Sequence, residues 1–166
     1  MAIADALLHT NLPAALSAGN LTVQKSVVQP TCPIVNAATS LFTVAGAPII
    51  GKLIGIVDTI LGGAANGTLE ETTTTPAATV TVSTTVAIDS AAAGTSIRFI
   101  GTSTAKAVLT PLAAGVVMID PVLTDDCWFL FPIGTIKFLT TAARTGNIAW
   151  YMQYVPLSPD SVVSAV

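Results

Sequence analysis

Few residues of this chain belong to the types that do chemistry. The single histidine is His9, so any imidazole-activated nucleophile would have to run through that one position. His9 lies in residues 1–20, which read as an N-terminal arm, and a surface or contact histidine is the expected role. Asp125 and Asp126 are adjacent acids. Neighbours on a strand point to opposite faces, so the two carboxylates could share a site only in a loop. A solvated turn is expected there; Ca²⁺ ligation, with Asp120 nearby, is the alternative. Glu70 and Glu71 precede four threonines, Thr72 to Thr75, and read as a solvated loop. Cys32 and Cys127 have no second cysteine or histidine close by, which argues against zinc or redox spacing. Two small buried apolar side chains are expected; a disulfide is the alternative, because sequence does not give the geometry that decides it. No Gly-rich phosphate loop or Walker motif is present. No catalytic, cofactor-binding or metal-ligating residue is therefore assigned, and the chain reads as no enzyme.

Six of the nine aromatic residues fall into two groups. Trp128, Phe129 and Phe131 sit in one segment, and Trp150, Tyr151 and Tyr154 in another. Exposed, they would form a platform for a sugar or a base; packing in a core is the stronger reading. Asn20 and Asn66 begin glycosylation sequons. The first residues lack a basic region and a long apolar run, so no secretory signal is expected and the sequons read as chance.

The elements around these residues read as strands. Residues 21–28 (LTVQKSVV) are rich in β-branched types and end before Pro30. Residues 40–45 follow, stopped by Gly46 and Pro48. Residues 49–61 are apolar but contain Gly51, Gly55 and Asp58, which suits a bulged strand better than a helix. Residues 62–67 (GGAANG) predict a turn, with Asn66–Gly67 as a hairpin signal. The threonine run predicts an exposed loop leading into one strand over residues 78–87. Residues 96–100 and 116–119 predict short strands. Residues 127–131 (CWFLF) are bulky throughout and predict a strand buried on both faces. Residues 134–141 and 147–155 predict a final pair, turning at residues 145–147. In residues 148–154 the even positions are apolar or aromatic and Gln153 falls on the other side, the alternation of a strand with one face in the core. Pro156 and Pro159 keep residues 157–166 from forming a regular helix. The fold class read from this pattern is all-β: an antiparallel β-sandwich, jelly-roll-like, over residues 21–156, with an N-terminal arm (1–20) and a C-terminal tail (157–166).

Composition bounds the partners. The chain has 166 residues and is 52% hydrophobic, yet carries only 6 basic and 9 acidic residues. At the usual quarter of residues charged, about 41 charges would be expected. A folded monomer of this mass should expose on the order of 7,600 Å², so charges are spread at roughly one per 500 Å². Such a surface carries apolar patches of the kind that mark interfaces. The mean hydropathy of +0.76 raises the question of a membrane span. The longest charge-free stretch, between Lys25 and Lys52, is interrupted by Pro30, Pro33, Gly46 and Pro48, so no spanning helix is expected. The six basic residues are scattered and the net charge is −3, which argues against nucleic acid.

Several segments taken together resemble a known class. They are residues 41–49 (LFTVAGAPI), 54–60 (IGIVDTI) and 88–95 (IDSAAAGT), then the block from Gly134 through Trp150 to Pro159. Their order and style are similar to small virion structural proteins of tailed bacteriophages, of the capsid decoration or cement type. The resemblance runs from about residue 41 to the end, contains no diagnostic motif, and leaves residues 1–40 out. It implies a β-sandwich on the capsid exterior that binds the major capsid protein and ties neighbouring subunits together. Capsid symmetry then favours a closed homo-oligomer, a trimer ahead of a dimer. The alternatives are a head-fibre or tail component, or a module that binds host-surface glycans.

Overall fold

The computed structural model describes residues 25–100, 108–112 and 128–166. The expected N-terminal arm (1–20), the strand expected over residues 116–119, and His9, Asp120, Asp125, Asp126 and Cys127 lie outside them. The described residues form an all-β sandwich. Its strands are β1 (Lys25–Pro33), β2 (Ala38–Ala45), β3 (Ile49–Thr59), β4 (Asn66–Thr74), β5 (Ala77–Thr81), β6 (Val86–Ala87), β7 (Ser96–Ile100), β8 (Val108–Leu112), β9 (Phe129–Phe131), β10 (Gly134–Thr140), β11 (Asn147–Pro156) and β12 (Val162–Ala165).

Sheet A has the order β1-β11-β3-β7-β8, with β9 also paired to β3. Sheet B has the order β12-β2-β10-β4-β5, with β6 also paired to β4. Every pairing is antiparallel. The pairs are nested in sequence: β1 with β11, β2 with β10, β3 with β7 and β9, β4 with β5 and β6. A long hairpin rolled up so that its paired arms pass together from one sheet to the other gives this order, which is that of a jelly roll. The tip of the hairpin is the turn at Thr75–Pro76, whose peptide bond is cis, as in a type VI turn.

Period-two alternation fills the space between the sheets. Along β3 the buried positions are Ile49, Gly51, Leu53, Gly55 and Val57; along β10 they are Gly134, Ile136, Phe138 and Thr140. At the centre Trp150 of β11 and Phe138 of β10 meet across the sandwich, ring centroids 4.9 Å apart. Phe99 stacks on Trp150 at 6.0 Å and meets Phe129 edge-on at 5.9 Å. Two glycines make room for these rings. A Cβ on Gly55 would lie 3.1 Å from the Trp150 ring, and one on Gly67 would lie 2.3 Å from Cζ of Phe138. Gly55 and Gly67 thus act as the floor beneath large side chains on the neighbouring strands.

Several local expectations are corrected. Asn66–Gly67 is the start of β4 rather than a hairpin turn; the chain turns earlier, at Gly63 (φ +81°). There the Ala65 N–H donates to Asp89 Oδ1 at 2.7 Å. The threonine run is strand up to Thr74 rather than loop. The single strand expected over residues 78–87 is divided into β5 and β6 around Ser83, whose buried Oγ accepts the Leu69 N–H at 2.9 Å. β9 is buried on one face only, because Leu130 is 64% exposed. Strands β10 and β11 are not a hydrogen-bonded pair: the chain crosses from sheet B to sheet A between them. The bulge expected in β3 is present, since the register with β11 skips Asp58. The C-terminal tail is extended, and its residues Val162–Ala165 add a strand beside β2. It is held down further by the Ser161 hydroxyl, which donates to the Pro48 carbonyl at 3.0 Å, and by the Val166 N–H, which donates to the Leu41 carbonyl at 3.2 Å.

Candidate interaction surfaces

Among the described residues, those singled out for chemistry do not converge. Cys32 is a buried free thiol, and burial pushes its pKa up to about 12, so it is protonated and unreactive at neutral pH. Trp150 is fully buried and Tyr154 nearly so, which leaves Tyr151 as the exposed member of the second aromatic group. The Trp150 indole Nε1 makes no hydrogen bond; the Cys32 thiol lies beside it as a weak acceptor without hydrogen-bond geometry. Trp128 and Phe129 are half-buried. No group of three or more metal-ligating side chains occurs among the described residues. No described helix is long and apolar enough to cross a membrane.

Glu71 corrects the reading of Glu70–Glu71 as a solvated loop. It shares the inner face of β4 with Gly67 and Leu69 and is only 5% exposed. Its cross-strand neighbours are Ile136 on β10 and Val80 on β5. Oε1 has no hydrogen-bond partner, and burial raises the carboxyl pKa to about 7. A carboxylate with no counter-ion is costly in such a place, so the acid holds its proton well above the ordinary range. The alternation of residues 67, 69 and 71 carried this signal, hidden because the threonine run reads as loop.

What the fold does organise is two contrasting outer faces. On sheet A the register sets Val28, Tyr151 and Ile54 side by side across β1, β11 and β3. Val28 and Tyr151 are each 44% exposed. Leu130 of β9 lies opposite Ile50 on the same face. On sheet B the corresponding row is Ser164, Thr43, Thr135, Thr72 and Thr79, one hydroxyl from each strand in turn. The Thr72 and Thr79 hydroxyls are 3.1 Å apart and hydrogen-bonded. Sheet A therefore offers an apolar row, Val28, Tyr151 and Ile54, bounded by Arg98 next to Ile54 and by the Gln153–Lys52 pair, while this row of sheet B offers a lattice of small hydroxyls. Sequence reasoning missed this division, because it depends on which strands lie side by side. Comparison with protein-family models, curated proteins and solved structures returns no match.

Proposed function

We propose that this protein is a structural, non-catalytic component of a phage virion: a capsid decoration (cement) protein on the outside of the head. In this reading it binds the major capsid protein through the outer face of sheet A and associates with itself as a closed homo-oligomer. The observation that carries the reading is the exposed cross-strand pair Val28–Tyr151 beside Ile54, on a chain with few charges to keep such a face apart from other proteins. Clustered exposed apolar side chains mark interaction surfaces, and Tyr is a common anchor in them. A protein that binds the assembled shell but not its dissociated subunits stabilises the shell by mass action. Repeated copies on a symmetric lattice add to that through multivalency.

The test is co-sedimentation with isolated phage heads. The wild-type protein should pellet with the shells at a fixed stoichiometry. Tyr151→Asp places a charge on an exposed position, so the variant should keep its fold and lose shell binding by at least tenfold. Wild-type protein that stays in the supernatant at every concentration, or Tyr151→Asp that pellets like the wild type, overturns the assignment.

A further inference from the structure

The edges of the two sheets are not equally protected. A free edge exposes unpaired N–H and C=O groups, and proteins blunt such edges with prolines, charges, bulges or short strands. Strand β1 carries Lys25, Pro30, Pro33 and a bulge between Gln29 and Cys32. Strand β8 contains Pro111, and β12 has only four residues. Strand β5, with the sequence AATVT, has no proline, charge or bulge, and Ala77 to Val80 are all exposed.

The hydrogen-bond alternation shows which of its groups point outwards. The Thr74 N–H donates to the Ile133 carbonyl on the β10 side, and the Val82 N–H donates to the Leu69 carbonyl. The odd-numbered residues of β4 therefore bond towards β5, engaging Ala78 and Val80, which lie opposite Thr73 and Glu71. By alternation, the backbone groups of Ala77, Thr79 and Thr81 face the edge, which no described strand pairs.

We propose that this edge pairs, antiparallel and about a two-fold axis, with β5 of a second copy of the chain. The segment is self-complementary: Thr79 meets Thr79 of the second copy, and Ala77 meets Thr81 in both directions. All three are hydrogen-bonding positions, giving about six inter-strand bonds. No charge on β5 opposes its own copy. Val80 lies on the inner side with Glu71 yet is 50% exposed; in the pair it is set against Ala78 of the second copy, at the closer spacing of a non-hydrogen-bonded position. The hydroxyl row ending at Thr79 continues across the axis into its symmetry mate, so the two B sheets become one. The occupant is thus a like strand, and the assembly is a dimer or an even multiple of one, rather than the trimer expected from capsid symmetry. An edge contact of this size buries less than a standard interface, so the dimer is concentration-dependent. This pairing stands apart from shell binding, which uses the other sheet.

Sedimentation velocity over a concentration series up to about 1 mM, a range set by the small interface, tests it. The wild type should move from monomer to dimer. Thr79→Pro removes only an outward N–H, so the β4 ladder survives and the dimer should be lost. Thr79→Lys, whose side chain sits on the solvent face, places two like charges together and should weaken the dimer at least tenfold at low salt. This second variant decides the matter if Thr79→Pro fails to fold. Thr79→Cys should cross-link into a dimer under mild oxidation, while Ala93→Cys, on an exposed turn, should not. A wild type that is monomeric throughout, a dimer indifferent to Thr79→Lys, or equal cross-linking by both cysteine variants overturns the proposal.

Discussion

Glu71 gives the protein a pH dependence that runs against the usual direction for a carboxylate. The perturbation is Glu71→Gln, which keeps the shape and removes the ionisation. The carboxyl pKa rises from 4.5 to about 7 in the folded chain, so between those values the folded state holds a proton that the unfolded state has released. Stability contributed by this group is intact below about pH 4.5, falls as pH rises through the window, and is fully lost above pH 7. At about 1.4 kcal/mol per unit the full shift corresponds to about 3 kcal/mol. Discounted for solvent screening, this becomes about 2 kcal/mol. The assay is urea denaturation at pH 4.5 and pH 8, followed by fluorescence of the buried Trp150, for both proteins. Other ionisable groups are common to the two, so the wild type should lose about 2 kcal/mol more than Glu71→Gln between these pH values. An equal loss in both proteins, or a larger loss in the variant, refutes the reasoning and places the Glu71 carboxyl in water.

Two further perturbations probe the core. Trp150→Asp sets an unpaired charge against Phe138 and Phe99, combining the loss of a large core side chain (about 3–5 kcal/mol) with charge burial. The variant should show no cooperative thermal transition; a folded, soluble variant would mean that the core face of β11 is misassigned. Gly67→Ala drives a methyl group to within 2.3 Å of Phe138 Cζ and should destabilise by about 1–3 kcal/mol, measured as a lowered urea midpoint with an unchanged m-value.

Where a strand's alternation was unbroken, the sequence was sufficient. In residues 148–154 the apolar positions predicted to face inwards are those that do, with Trp150 at the centre. Residues 49–61 do form a strand with a bulge, but the bulge falls at Asp58, whereas the glycines that suggested it keep regular register and make room for rings instead. The threonine run misled, because low-complexity polar sequence is read as solvated loop, whereas threonine suits a half-exposed strand as well as any residue. That error hid Glu71, and with it the only buried acid among the described residues.

The composition determined that the surface is charge-poor, and the turn spacing with β-branched runs determined that the chain is a sandwich of short strands. Both are local or summed properties that each residue carries wherever it sits. The tertiary structure alone decided that β10 and β11 belong to opposite sheets, that Val28 meets Tyr151 from more than a hundred residues away in sequence, and that β5 is an edge unpaired among the described strands. Strand pairing joins residues that are distant in sequence, and a period-two pattern fixes which face a side chain takes without fixing which strand lies beside it. The faces and edges on which this protein's interactions depend are therefore products of the fold.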